Sequence, residues 1–341
     1  MQVSLAPMTT LRLGGPAKRL VSAASEEEIV AIVKDVDARG EPLFVLGGGS
    51  NVVIADAGWD GTVLRIASRG VRKTGDDLEV EAGEPWDALA RNWVDDGLVG
   101  VECLAGIPGL TGATPMQNVG AYGQEVETTI SRVRAFDREA KKLVDFASSE
   151  CGFGYRTSMF RASTRWVITR VTFRLRKGDS SEPIRYTELS KALGIQDGER
   201  APLRTVRDTV ILLRKQKGMV LDPEDPETTS AGSFFTNPIL NVATADRVAE
   251  RAGAAPPRFP AAGGNVKVPA AWLIERAGFS KGHTMGRAHI SKKHALALVT
   301  ENGATTVELL DLARAIRHGV HDAFGVMLQP EPMLVGCVMD P

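Results

Sequence analysis

Cysteine is scarce, aromatic residues are few, and charge is nearly balanced. Three cysteines, Cys103, Cys151 and Cys337, stand in 341 residues. They form neither a C-x-x-C pair nor a disulfide framework, which suits a reducing cytoplasm. The formal net charge is -1, so no global field draws the chain to nucleic acid or an anionic membrane, and neither partner is expected. No uninterrupted apolar run approaches the ~20 residues of a membrane-spanning helix. The first residues, Met-Gln-Val-Ser-Leu-Ala-Pro, lack the basic and apolar regions of a signal peptide, so a cytoplasmic location is expected. All five histidines fall at or after His283 without zinc-like spacing, so no metal site is expected. There are no repeats or low-complexity tracts. Apolar residues make up 43% and charged residues 24%, an ordinary globular balance with length for two or three domains.

Glycine, by contrast, is placed with purpose. Phe44 to Ile54 reads as a short buried strand, a turn of Gly47, Gly48, Gly49, Ser50 and Asn51, and a second apolar β-branched run. Three successive residues without Cβ let backbone pass close to a bulky ligand, and their N–H groups can converge on an anion. The bland alternative is a tight turn between strands. The G-x-G-x-x-G spacing of a dinucleotide turn is absent, and Val52-Val53-Ile54 favours a strand over a helix's first turn. A Gly-Lys-Ser/Thr phosphate loop is absent too. The expected anion site is therefore a loop joining two strands.

Along the chain, Ser25-Glu26-Glu27-Glu28 is a capping box. It opens a helix with Ile29, Ile32, Val33 and Val36 on one face and Gly40 at its end. Leu43 to Leu46, Thr62 to Ile66 and Leu78 to Glu81 read as strands, and Pro85 to Val94 as a helix. Between Glu102 and Glu125 a Gly- and Pro-rich segment carries no charge at all. A floppy loop of that length would be charged, so this one is expected to lie against something large, flat and partly apolar. Ile130 to Asp137, Lys142 to Phe146 and Trp166 to Arg176 read as antiparallel strands. In the last, Val167, Val171, Phe173 and Leu175 point inward, and Arg170, Thr172, Arg174 and Arg176 outward. Arg156 sits among aromatics in Phe153-Gly154-Tyr155-Arg156, as a held guanidinium or as a solvated one. Helices are predicted over 205–217, 243–252 and 269–277, with a loop over 256–264. A last helix runs from the box Thr305-Thr306-Val307-Glu308 to Ala323, and the chain closes on a strand-like tail. Gly232-Ser233-Phe234-Phe235 followed by Asn237-Pro238 suggests a rigid turn presenting Ser233. Boundaries are placed near 66, 202 and 325.

In this order the motifs resemble those of the UDP-N-acetylenolpyruvoylglucosamine reductase (UDP-N-acetylmuramate dehydrogenase) family, flavoproteins of bacterial peptidoglycan synthesis. The resemblance runs over nearly the whole chain, through Leu13-Gly14-Gly15, Leu46 to Asn51, Ile107-Pro108-Gly109, Gln117 to Gly123, Gly154-Tyr155-Arg156, Ala231 to Phe235 and Pro330-Glu331. It implies an α+β protein with an FAD-binding fold of the vanillyl-alcohol-oxidase (PCMH) type. Two α+β subdomains, 1–66 and 67–201, would hold non-covalent FAD; an α+β substrate domain, 202–325, would close over a UDP-sugar; and a tail, 326–341, would return to the active site. Cofactor contacts would come from Gly47, Gly48, Gly49, Ser50, Asn51, Pro108, Gly109, Gly112, Ala113, Gln117, Asn118, Gly120, Ala121 and Tyr122.

The implied reaction takes UDP-N-acetylglucosamine enolpyruvate to UDP-N-acetylmuramate, with NADPH and the sugar nucleotide using one site in turn. Hydride goes to the terminal carbon of an enol ether, leaving negative charge on the neighbouring carbon and its carboxylate, which need a cation or donor and a proton source. By the resemblance these are Arg156 at the carboxylate, protonated Glu331 beside it and Ser233 as proton donor. Tyr155, Tyr186, Lys217 and Asn237 would contact substrate. Thr187 stands where the family usually has glycine, and Thr236 where relatives often have lysine. A monomer is expected. The competing readings are a flavin oxidase of the same fold and a non-catalytic UDP-sugar-binding relative. Covalent tethering of flavin near the Gly-rich loop, common in such oxidases, has no residue to use here: no histidine precedes His283 and no cysteine precedes Cys103.

Overall fold

The computed structural model describes residues 3–161 and 163–340. The chain forms two compact units: 1–3, 17–48 and 60–220 in the first, and 4–16, 49–59 and 221–341 in the second. The expected boundaries at 66, 202 and 325 are thus drawn differently. The two front pieces share one unit, the tail stays with the residues after 221, and two short N-terminal pieces join them.

The first unit is built on two sheets. One carries the strands Pro16–Ala23, Trp59–Ile66 and Leu43–Leu46 in that spatial order, the last two parallel. The other is antiparallel, in the order Lys142–Ala147, Ile130–Asp137, Trp166–Arg174, Asp77–Glu81, Val71–Thr74. Helix α1 (Glu26–Ala38) starts where Ser25 accepts the Glu28 N–H, and Glu28 reaches back to the N–H of Ala24. Its buried Ile29 and Val33 join Leu64, Ile66, Phe136 and Val167 in one core, so the helix ties the two sheets together. Helix α2 (Trp86–Asp95) sets Trp86 and Trp93 against Phe173, with ring centroids 5.6 and 5.2 Å away. Helices α3 (Thr187–Leu193) and α4 (Leu203–Gln216) bury Leu189, Val206 and Val210 with Cys103.

One inward–outward assignment in the central strand is corrected. Thr172, expected outside, is 3% exposed, because this strand is covered on both faces. A bulge at Thr169 also breaks the expected alternation: Val167 packs in the core with α1, whereas Ile168, Val171 and Phe173 pack in the other core. At the bulge Thr169 donates to Glu26, and Arg170 pairs with Glu81 at 2.7 Å.

The second unit holds a four-stranded sheet in the order Ser230–Ser233, Ala297–Thr300, Ala288–Ile290, Thr284–Met285. Helices α5 (Val242–Ala252), α6 (Ala270–Arg276) and α7 (Thr306–Phe324) complete it. Thr305 and Glu308 close the predicted capping box on α7, and Asp56 adds bonds to the N–H groups of Thr306 and Val307 at 2.7 and 3.1 Å. Leu309, Leu312, Ile316 and Val320 are all buried. The stretch 256–264, expected as loop, contains the short strand Phe259–Pro260 paired with Val266–Lys267. The tail strand Met333–Val335 lies parallel to Val52–Ile54, in register Met333 to Val52. Among the described residues no helix is long and apolar enough to cross a membrane.

Candidate functional site

In the first unit two of the glycine motifs meet. A Cβ on Gly48 would stand 2.7 Å from Cα of Gly109, and one on Gly112 would stand 2.6 Å from Cβ of Ala82. Backbone passes backbone there, which only glycine permits. The uncharged segment is pinned from behind: Thr111 N–H bonds Glu84 O, Gly112 N–H bonds Ala82 O, and Trp86 N–H bonds Gly109 O. Its other side leaves Pro108 and Gly109 half-buried and Ala113 exposed.

Asn118 is the hub of the next motif. It is fully buried, at φ 47°, and its side chain is committed to protein: Nδ2 donates to Glu125 (3.0 Å) and Gly154 O (3.2 Å), while Oδ1 accepts from Glu127 N (3.1 Å). These bonds make Asn118 a residue that shapes the loop. The same bond to Gly154 fixes a tight turn in which Gly154 and Thr157 exchange N–H···O bonds of 3.2 Å. Arg156, at the tip, has φ 52°, a left-handed conformation that costs a non-glycine residue about 1 kcal/mol or more. Its guanidinium donates to Gly120 O at 2.6 Å and lies 5.5 Å from the Tyr155 ring, and Arg161 bonds its carbonyl. Strain held by so many contacts marks a residue whose direction matters.

A third group gathers Tyr122, Tyr186 and Lys217. The tyrosine rings meet edge to face at 5.3 Å, and Lys217 Nζ lies 5.6 Å from the Tyr122 centroid and 2.5 Å from Glu188. Burial pushes the Tyr122 hydroxyl well above the usual tyrosine range, opposed by the positive charge of Arg214. Thr187 is the first residue of α3 and has no positive φ, so it adopts its place without needing glycine. Glu188 and Arg214 were not predicted. Glu188 reads from sequence as an ordinary helix-start acid, and Arg214 as one of several solvated cations around Lys217.

The second unit holds Gly49, Ser50, Asn51, Ser233, Asn237 and Glu331. Gly49, at φ +65°, lies so close to the backbone of Met8 that a Cβ would clash at 1.9 Å. Ser233 ends a strand between Gly232, at φ +74°, and two buried aromatics, Phe234 and Phe235, whose rings are 5.1 Å apart. Phe234 N–H bonds Leu296 O at 2.7 Å, and Phe234 O accepts the Glu331 N–H at 2.8 Å. Phe235 bridges to Pro330, Asn51 Nδ2 reaches Glu331 O at 3.5 Å, and Met333 N–H bonds Asn51 O at 3.0 Å. The loop, the serine strand and the acid-bearing tail are thereby brought side by side. Asn237 Oδ1 accepts the Ala270 N–H at 2.9 Å, at the start of α6. Behind the strand, Glu227 binds Ser291 and the Lys292 N–H, each at 2.7 Å. Burial alone would raise its pKa, but these donors hold it low.

Residues 223–335 match the profile of the UDP-N-acetylenolpyruvoylglucosamine reductase C-terminal domain, and residues 17–143 match that of an FAD binding domain. The UDP-N-acetylenolpyruvoylglucosamine reductase of Streptomyces coelicolor is 56% identical, with 98% of this chain and 90% of that one covered. The protein of that name from Thermobifida fusca is 51% identical, with 99% and 98% covered. A crystal structure of UDP-N-acetylenolpyruvylglucosamine reductase from Thermus caldophilus is similar at TM-score 0.68 and 26% identity, over 98% of both chains.

Proposed function

The chain belongs to the UDP-N-acetylenolpyruvoylglucosamine reductase family, and on that premise we propose that it reduces UDP-N-acetylglucosamine enolpyruvate to UDP-N-acetylmuramate for peptidoglycan synthesis. It is an FAD-dependent oxidoreductase, with NADPH as reductant, working in the cytoplasm as a monomer. The observation that supports this most is the strand arrangement around Ser233: a hydroxyl set between a glycine bulge and two aromatic anchors, with the Glu331 backbone bonded to the next residue.

The residues present fit FAD. Gly48 and Gly109 leave no space for side chains between their backbones, and the segment from Cys103 to Gln124 offers an uncharged, partly apolar surface. Gly47, Ser50, Gln117, Ala121 and the other glycine-motif residues named above would hold it. Bound FAD supplies the hydride, taken from NADPH and passed to the terminal enol-ether carbon.

Arg156 receives the substrate carboxylate, and its guanidinium gains most as charge moves onto that group. Its left-handed backbone and its bond to Gly120 orient it before substrate arrives. Glu331 in its protonated form donates to the same carboxylate. Ser233 gives its proton to the neighbouring carbon, which completes the addition of two hydrogens across the double bond. A hydroxyl is a weak acid, but a carbanion-like centre is a strong base, so a positioned weak donor serves. Tyr155, Tyr186, Lys217 and Asn237 hold the UDP portion.

Ser233→Ala separates the steps. NADPH should bleach the flavin band at a normal rate, while reoxidation by the enolpyruvyl substrate slows by orders of magnitude in anaerobic stopped-flow. Equal slowing of both halves would show that Ser233 is not the proton donor. A purified protein that neither carries nor binds FAD would sink the whole reading.

A further inference from the structure

Two arginines one turn apart on α7, Arg314 and Arg317, hold the tail that carries Glu331. Arg317 is nearly covered, its side chain 12% exposed. Its Nε donates to Leu328 O at 3.0 Å, and a terminal nitrogen binds the Asp340 carboxylate. Arg314 takes the neighbouring carbonyls: Nε donates to Met339 O at 2.5 Å and Nη2 to Val338 O at 3.1 Å. Its Nη1 stays on Asp311 of the same helix at 2.9 Å. The bond from Arg317 holds Asp340 below the usual carboxylate range, so both partners are charged at neutral pH.

Leu328 stands three residues before Glu331, and Asp340 nine residues after it. One guanidinium therefore closes residues 329–339 into a loop with Glu331 inside it. Leu328 is also fully buried, in one core with Ile316, Val320 and Phe324 of α7, so the near end of the loop has a fixed base. Between the ends the backbone is held more lightly. Gln329 O accepts the Thr236 N–H at 3.0 Å, the Glu331 N–H donates to Phe234 O at 2.8 Å, and the strand pairing is three residues long and parallel. An ion pair to the half-exposed Asp340 adds little stability. What the fork does contribute is geometry: tying both ends restricts where the middle can lie. An acid that must meet a substrate carboxylate depends on such placement, because its hydrogen bond is made only within about 2.6–3.2 Å.

Resting on the reading of Glu331 as the acid at the substrate carboxylate, we infer that Arg317 is a positioning residue for reduction of the enolpyruvyl group: its fork between Leu328 O and Asp340 holds Glu331 in place. It acts through the tail and not on the substrate.

The two half-reactions and a double-mutant cycle test this. In Arg317→Gln, NADPH should bleach the flavin within about twofold of the parent rate, while anaerobic reoxidation by the enolpyruvyl substrate slows about tenfold or more. Affinity for UDP-N-acetylglucosamine, which has no carboxylate for Glu331 to meet, should stay unchanged in calorimetry. In a Glu331→Ala background the same substitution should slow reoxidation by no more than about twofold further, because the group it positions is already gone. Asp340→Ala removes one end of the fork and leaves the Leu328 bond. It should slow reoxidation about threefold with Glu331 present and leave it unchanged in Glu331→Ala, which keeps the test open if Arg317→Gln does not fold. Penalties that multiply in either cycle overturn the inference and make Arg317 a structural clamp. Equal slowing of both half-reactions, lost affinity for UDP-N-acetylglucosamine, or reoxidation of Arg317→Gln at the parent rate overturns it too. If Glu331→Ala alone reoxidises at the parent rate, it is the underlying reading of Glu331 that has failed, and that single variant shows it before either cycle is built.

Discussion

Gly47 and Gly48 are neighbours with opposite requirements. An added Cβ on Gly47 would meet only Ala113, at 4.0 Å, whereas on Gly48 it would meet Gly109 Cα at 2.7 Å, with backbone on both sides of the contact. Neither backbone can rotate away as a side chain would, so the loops must part. Gly48→Ala should cost about 1–3 kcal/mol, in the range of overpacking, and lower the Tm of the FAD-free protein, while Gly47→Ala should leave that Tm unchanged. Equal Tm values for the two variants would show that the contact is not a constraint. The sequence could show three glycines in a row but not which of them meets another backbone, because Gly109 comes from a motif some sixty residues on. The same limit hid Arg214, whose bond to Gly106 O reaches a residue 108 positions away.

Elements were legible where their signals are local. The Ser25 cap and the Thr305 box start α1 and α7 where expected, since a capping bond spans three residues, although Glu28 returns to the Ala24 N–H and so leaves the predicted box at Ser25 half made. Strand partners were not legible: Val52–Ile54 reads as the continuation of Leu43–Leu46 across the glycine turn, yet it pairs with the tail strand Met333–Val335. The hairpin between Ile130–Asp137 and Lys142–Ala147 shows how such an element can be tested. Asp137, 2% exposed, accepts from Arg165 at 2.6 and 2.9 Å and from the N–H groups of Glu139 and Ala140. The Arg165 bonds, helped by those amides, bring its pKa down to about 2. A carboxyl with a lowered folded pKa stabilises the fold above its unfolded value, about 3.9, and loses that contribution as pH falls through about 2. Asp137→Asn should therefore lower Tm at neutral pH, and the gap to the parent protein should close steadily on acidification below about pH 4. A gap of constant size down to the acid limit would mean that shape, not charge, is what Asp137 contributes.

At the scale of the molecule, the second unit is discontinuous in sequence, and this has a consequence for where it can be cut. Its main core includes Leu11, Leu13 and Val53, exposed by 1%, 4% and 0%, among residues that otherwise follow position 230. Thr300 Oγ1 donates to Leu11 O at 2.6 Å, Thr306 Oγ1 donates to Ile54 O at 2.6 Å, and Asp56 caps α7. A fragment of 221–341 has the residues of the matched C-terminal profile, 223–335, but none of these partners. Truncating a large buried aliphatic side chain costs on the order of 2–5 kcal/mol, and whole domains are stable by only about 5–15 kcal/mol. The tail strand would also lose its only sheet partner among the described residues. The fragment 221–341 should therefore lack a cooperative thermal transition and show collapsed amide dispersion in its NMR spectrum. Adding peptides that span 4–16 and 49–59 should restore part of both. A dispersed spectrum and a sharp transition in the fragment alone would mean that the back half folds without the front pieces. The Gly14-Gly15 motif would then need a reason other than the one the packing gives it: Gly15 lies so close to the Asp56 carbonyl that a Cβ would stand 2.0 Å away, and Asp56 is the residue that caps the last helix.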